Sequence, residues 1–379
     1  MKVPLFDLTR QYKTLRSEIT ENIDNIFSSG KVIMGENVRN LEASVSRYIG
    51  SKYAVGVANG SDALVISVHS LGIKPGDYVI TTPYTFFATA SAITRNGGIP
   101  IFADVDPVYY NINLEKTEEI LNNHPHKEKI KAIIPVHLFG KTINLEKLRQ
   151  LKEKYNVKIV EDCAQSIGSV WKNEKSGTVG EFGTISFFPT KNLGGYGDGG
   201  MIITSDEELY KKASVLRVHG ASKKYYHEEI GYNSRLDEIQ ASVLCTKLKH
   251  LDSYTEKRIN IAKKYKELFL NEKLDEFIDF PDYYEDRSHV YHQYVITVKN
   301  EIRSGLENYL TENEIGTSVY YPKGLHQQKC FEYLGQNIPG KFPVTDFATQ
   351  HSLALPIFPE LREDEQEYVV KTIKNYFRG

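Results

Sequence analysis

The sequence predicts an α/β fold: a mostly parallel sheet flanked by helices, joined to a smaller α+β C-terminal unit. Three observations carry this. Between Tyr53 and Thr204, short apolar runs of strand length alternate with longer segments whose apolar residues recur every three or four positions. Beyond a long helical stretch from Leu236 to about Leu270, that alternation gives way to mixed strands and helices. In SFFPTKNLGGYGDGG, Ser186 to Gly200, one lysine, Lys191, stands just past a strand end and ahead of five glycines in seven residues. A strand end of this kind is where an α/β sheet presents its ligand site.

In chain order, the first helix is predicted from Leu8 to Phe27, where Leu8, Tyr12, Leu15, Ile19, Ile23 and Ile26 share one face. Ser28, Ser29 and Gly30 end it. A second helix covers Val38 to Tyr48. Strand Tyr53 to Val57, helix Ser61 to Leu71, strand Tyr78 to Thr82, helix Phe86 to Arg95 and strand Ile99 to Val105 follow, and after a polar stretch comes strand Lys131 to Val136. Helix Asn144 to Tyr155 leads into the strand that ends at Asp162. The strand Thr184 to Phe188 stops at Pro189, and strand Met201 to Thr204 is followed by helix Asp206 to Arg217. The helical stretch from Leu236, broken near Asp252 and Ser253, bridges to strand-like Tyr291 to Val298 and Thr317 to Tyr321 and to helices Ser304 to Asn313 and Glu363 to Phe377. The chain divides accordingly into residues 1–250, N-terminal helices and a large α/β domain, and residues 251–379, a small α+β domain.

With 47 Lys and Arg against 49 Asp and Glu, the chain has no polybasic character that would suit nucleic acid or an anionic membrane. Small molecules and copies of itself are the expected partners. Cys163, Cys245 and Cys330 are odd in number and far apart, which fits neither a disulfide framework nor a zinc site, and no metal is expected. The N-terminal residues lack the apolar core of a signal peptide and no run reaches membrane-span length, so a cytoplasmic location is expected.

Lys191 and Asp162 carry the chemistry. A lysine held in a partly desolvated place loses preference for its charged form and becomes a Schiff-base former toward a carbonyl compound. Asp162, with Glu161 and Gln165, follows the buried run Val157, Ile159 and Val160; a carboxylate there can keep a pyridine nitrogen protonated, or it can cap the next turn. Gly60 and Ser61 open a helix directly after a strand, a place that binds phosphate or is simply capped. Asn233 stands before a helix, where a lone Asn reads as a cap.

Taken together, NGSDAL (Asn59 to Leu64), YTFFATA (Tyr84 to Ala90), EDCAQSIGS (Glu161 to Ser169), SFFPTKNLGGYGDGG and GYNSRLDEIQA (Gly231 to Ala241) resemble the DegT/StrS-type nucleotide-sugar aminotransferases, pyridoxal-phosphate enzymes of the aspartate aminotransferase fold, type I. The likeness runs from Val3 to Leu361. It implies that Lys191 holds pyridoxal phosphate as a Schiff base and later moves the proton, that Asp162 pairs with the pyridine nitrogen, and that Gly60, Ser61 and Ser186 hold the phosphate. Phe86 would stack on the ring, Gln165 would reach its phenolic oxygen, and Asn233 would cross to the phosphate of the other subunit of a homodimer with shared sites. Tyr320, Tyr321 and His326 would cover the substrate. The implied reaction moves an amino group from L-glutamate to a nucleotide-linked keto-sugar. Gly194 and Gly195, standing where relatives acting at C4 carry two threonines, imply amination at C3 of a dTDP- or UDP-linked hexose. Two alternatives are a sugar dehydratase of the same fold, whose relatives carry histidine in place of the lysine, and a non-catalytic pyridoxal-binding regulatory protein.

Overall fold

A computed structural model of the 379-residue chain describes every residue except 283, 285, 301 and 302. Its central sheet contains β1 (Tyr53–Val57), β2 (Tyr78–Thr81), β3 (Ile99–Phe102), β4 (Ile130–Ile133), β5 (Lys158–Asp162), β6 (Phe182–Ser186) and β7 (Gly200–Thr204). The spatial order is β1-β7-β6-β5-β4-β2-β3. Neighbours from β3 to β6 are parallel, and β7 runs antiparallel to both β1 and β6. These strands are near-continuous apolar runs because both faces of the sheet are covered. Val160 and Ile202 pack with Leu64 and Val68 of helix Gly60–Ser70 on one face. On the other, Ile159 packs with Leu145, Leu148 and Leu151 of helix Leu145–Tyr155, and Ile203 with Val38 and Leu41 of helix Glu36–Ile49.

Several helix ends follow local chemistry. The first helix, Leu8–Ser29, starts where Asp7 accepts from the Thr9 amide and ends at Gly30, which takes φ 66°. Helix Glu36–Ile49 has no local cap. The amides of Gly35, Asn37 and Val38 donate instead to the carboxylate of Glu238, some 200 residues away.

The long helical stretch divides into Glu238–Leu248 and Leu251–Asn271, so the break falls at Lys249 and His250 rather than at Asp252 and Ser253. Helix Leu114–Asn123 occupies the stretch read as polar; it buries only Leu114, Thr117 and Leu121, too sparse a pattern to announce itself. Strand-like Thr317 to Tyr321 is not a strand. Ser318 alone pairs with Ala354, and the Tyr320 carbonyl accepts from the Tyr84 hydroxyl at 2.6 Å instead of joining a ladder.

The C-terminal residues form a three-stranded antiparallel sheet, β8 (Ile278–Asp279), β9 (Tyr294–Val298) and β10 (Ser352–Leu355), with β9 in the middle. Its core takes in Val3, whose backbone exchanges hydrogen bonds with Glu314 and Gly316. Arg10 makes a bidentate pair with the buried Glu365 of the last helix, Glu363–Arg378. Both chain ends are thus tied into one core. Among the described residues no helix is long and apolar enough to cross a membrane.

At the β1–β7 edge the backbones close tightly. A Cβ on Gly200 would fall 2.4 Å from the carbonyl carbon of Asn59. Gly200→Ala is therefore expected to cost about 1–3 kcal/mol of stability through overpacking, read as a lower urea midpoint; an unchanged midpoint would show that the junction has room to relax.

Candidate active site

The end of β5 delivers Asp162. Its amide donates to the Pro135 carbonyl and its carbonyl accepts from the His137 amide, so the backbone is held on the β4 side. The carboxylate is buried, accepting from the Thr89 hydroxyl at 2.9 Å and the Ala164 amide at 3.1 Å. Burial raises its pKa, while the two hydrogen bonds and the charge of Lys191 pull the other way.

Lys191 lies past β6 in a turn closed by its own amide on the Phe188 carbonyl and by the Gly195 amide on the Phe187 carbonyl, both 2.8 Å. Burial lowers its amine from the ordinary 10.5 to about 8, against the opposing pull of Asp162. That is roughly 3 kcal/mol against the charged form, and it leaves on the order of a tenth of the amine neutral at pH 7. Lysine amines in water have almost none.

The glycine loop after Lys191 is glycine for want of space. A Cβ on Gly194 would meet the Pro189 carbonyl oxygen at 2.3 Å, and one on Gly195 would meet Gln240 Oε1 at 2.7 Å. Helix Glu238–Leu248 clamps the loop twice, with Gln240 accepting from the Tyr196 amide at 2.8 Å and Lys247 donating to the Gly194 carbonyl at 2.7 Å. Gln240 and Lys247, seven positions apart, lie on one helical face.

The helix that follows β1 begins at Gly60 and is capped by Asn59, whose side chain accepts from the Asp62 amide at 2.8 Å. Gly60 abuts Ser186: a Cβ at Gly60 would fall 2.7 Å from that of Ser186. The Ser61 hydroxyl has no side-chain hydrogen bond among the described residues, and Ser186 Oγ only accepts from the Phe188 amide at 3.3 Å. An open helix N-terminus with two available hydroxyls suits a phosphate.

The remaining predicted residues are distributed unevenly. Gln165 accepts from the Phe139 amide at 2.6 Å and donates to the Tyr321 hydroxyl at 3.3 Å, so Tyr321 joins the Asp162 neighbourhood. Tyr320 packs edge-on against Tyr321. Phe86 is 59% exposed and precedes its helix, which starts at Ala88 rather than at Phe86. Asn233 does not cap a helix; it is exposed and bridges to Val218, while the adjacent Ser234 hydroxyl accepts from the Ala58 amide near the end of β1. His326 is buried, packed on Phe342 and bonded to Asp346 at 3.1 Å; none of its contacts is with Asp162, Gln165 or Lys191. Burial lowers its pKa and Asp346 opposes that.

Thr89, which bonds Asp162, and His292 carry no sequence signal of their roles. His292, two residues ahead of β9, sets its Nε2 3.5 Å from Lys191 Nζ.

Residues 13–374 match the DegT/DnrJ/EryC1/StrS aminotransferase family. The chain belongs to that family. This aminotransferase is 45% identical over 378 residues to a protein of Geobacillus stearothermophilus named pleiotropic regulatory protein, covering 100% of this chain and 99% of that one. It is 37% identical over 377 residues to a UDP-N-acetyl-3-dehydro-alpha-D-glucosamine 3-aminotransferase of Acidithiobacillus ferrooxidans, covering 100% and 98%. Among solved structures, S. venezuelae DesV in complex with a ketimine intermediate superposes with a TM-score of 0.93 at 32% identity, covering 100% and 99%. The fold is that of the type I pyridoxal-phosphate enzymes and the cofactor is pyridoxal phosphate. The site's chemistry fits that group: a partly neutral lysine amine, a buried carboxylate, and an open helix N-terminus beside free hydroxyls.

Glu161, next to Asp162, points away from the site. It is fully buried and accepts from the amides of Gly177, Val179 and Gly180 at 2.9, 2.7 and 2.9 Å and pairs with His137 Nε2 at 3.0 Å. Burial alone would raise its pKa, but His137 and the amides outweigh it and hold the carboxyl below its ordinary value. A depressed folded pKa contributes stability above the unfolded value, lost as pH falls through the folded one. Glu161→Gln is therefore expected to cost about 3 kcal/mol at pH 7 and to flatten the acid limb below about pH 4.5 in urea titrations. An unchanged acid limb would mean that Glu161 is not a stabilising charge.

Proposed function

We propose that this aminotransferase moves an amino group from L-glutamate to C3 of a nucleotide-linked 3-keto-hexose, dTDP- or UDP-linked, giving a 3-amino sugar nucleotide. The observation that carries the reading is Lys191, its amine partly neutral through burial, at the strand ends that also present Asp162. The 3-aminotransferase name of the Acidithiobacillus relative supports the choice of C3.

When bound, pyridoxal phosphate supplies the electron sink that makes the substrate C–H acidic. Lys191 would tether the cofactor; displaced by the donor's amine, its own amine would take the proton from the donor's α-carbon and later give one to sugar C3. Asp162 holds a proton on the pyridine nitrogen. The Gly60 and Ser61 amides and the hydroxyls of Ser61 and Ser186 would bind the phosphate, Phe86 would pack on the ring, and Gln165 would orient its phenolic side. Tyr320, Tyr321 and His326 serve the sugar side in this reading.

Asn233 reaches the phosphate of a second copy, making a homodimer with shared sites. The division into residues 1–250 and 251–379 belongs to the same proposal, since Lys191 and Asp162 come from the first and His292 and Tyr321 from the second. A cytoplasmic location is supported by three free cysteines. The Geobacillus relative's name favours a regulatory protein as the second reading; turnover of a keto-sugar nucleotide separates the two.

Borohydride reduction of the holoenzyme is expected to fix the cofactor on a single peptide containing Lys191, and Lys191→Ala to abolish both this attachment and transamination. Attachment elsewhere would refute the assignment. Given glutamate and matched 3-keto and 4-keto nucleotide sugars, the enzyme is expected to place nitrogen at C3, as located by NMR of the product. Efficient amination only at C4 would overturn the regiochemistry and leave the aminotransferase reading standing.

A further inference from the structure

The imidazole beside Lys191 is held in one tautomer by its neighbours. Asn192 donates its Nδ2 to the Val290 carbonyl at 3.1 Å, which turns Asn192 Oδ1 toward His292 Nδ1 at 3.3 Å. An amide oxygen only accepts, so Nδ1 carries the hydrogen and Nε2 is left as an acceptor. Nε2 faces two donors, Lys191 Nζ at 3.5 Å and Gln293 Nε2 at 3.4 Å. The backbone under the ring is pinned as well. The buried Arg258 guanidinium, from helix Leu251–Asn271, donates to the carbonyls of Tyr291 at 3.1 Å, His292 at 3.4 Å and Ile357 at 3.0 Å. Burial, with the charges of Lys191 and Arg258 and the nearby His289, pushes the imidazole pKa well below its usual value, which favours the unprotonated ring. From the strand side, Lys191 faces the Asp162 carboxylate.

We propose that His292 is a positioning residue for the Lys191 amine: its unprotonated Nε2 takes one amine hydrogen and so fixes the direction of the nitrogen lone pair. A lysine side chain has four rotatable bonds, and an amine that must move a proton between defined carbons gains from having its orientation set beforehand. Asp162 accepts one hydrogen bond on each oxygen, from Thr89 and from the Ala164 amide, and in the proposed reading its remaining capacity serves the pyridine nitrogen. The inference rests on the reading that Lys191 tethers the cofactor and moves the proton.

Two near-isosteric variants separate the positioning role from packing. His292→Gln can place an amide oxygen near the Nε2 position, whereas His292→Asn keeps the contact with Asn192 but stops short of Lys191. The first readout is the pKa of the Lys191 amine in cofactor-free protein, from the pH dependence of competitive acetylation measured by mass spectrometry. An acceptor stabilises the ammonium form, so losing it lowers the pKa. His292→Asn is expected to titrate roughly one pH unit below the wild type, and His292→Gln close to it. In the holoenzyme His292→Asn is expected to lose about tenfold in kcat at unchanged KM for the sugar nucleotide, with His292→Gln restoring most of it.

Equal titration in all three proteins, or equal shifts in both variants, would overturn the proposal. Should the His292 variants not fold, Asn192→Leu keeps the imidazole but frees its tautomer. It is expected to lower the Lys191 pKa by a smaller step, and an unchanged value there would also overturn the proposal. Borohydride mapping of the wild type keeps the two readings apart: attachment at Lys191 with an immobile titration defeats only the role of His292, and attachment elsewhere defeats the site assignment beneath it.

Discussion

Two groups that water would keep charged, the half-buried Lys191 and the buried Asp162, act on one another's charge, and the rest of the site follows from that constraint. Desolvation brings the lysine amine to about 8 and raises the carboxyl, while their mutual attraction limits both shifts. Neither group could hold such a state on a mobile surface loop. The amine is usable near neutral pH because its surroundings are rigid and largely dry, and the sheet supplies that rigidity by placing Asp162 at the end of a strand buried on both faces.

Rigidity on the lysine side comes from a different source. No regular element carries Lys191. Its loop is locked by close backbone approaches that only glycine allows and by Gln240 and Lys247 from helix Glu238–Leu248. Glu238 of that helix also caps helix Glu36–Ile49. The helix thus joins the N-terminal layer to the glycine loop, and the adjoining segment carries Asn233. Opposite it, Arg258 and Asn192 hold His292 against the amine. The site is assembled from segments spread over more than 200 residues.

What the sequence made legible was whatever has a local signature. Strand Tyr53–Val57 matches its prediction because five apolar or small residues, preceded by Ser51 and Lys52 and soon followed by Asn59 and Gly60, can be little else, and helix Leu145–Tyr155 begins at the Asn144 cap as its pattern indicates. Helix Leu114–Asn123 was illegible because three buried positions do not make a stripe. Strand Ser352–Leu355 is four residues long and directly follows a helix, so periodicity had nothing to work on. The break at His250 was misplaced by two residues because no proline or glycine marks it.

By itself, then, the sequence determined the α/β class, the family, and the lysine and carboxylate at successive strand ends, since each is written in a short contiguous stretch. Only the tertiary structure decided the desolvation of the amine, the direction in which Glu161 and Asp162 part, the burial of His326 against Phe342 and Asp346, and the arrival of His292 beside Lys191. Desolvation and hydrogen bonds between residues a hundred positions apart depend on which surfaces meet when the chain packs, and no local pattern of side chains encodes that meeting.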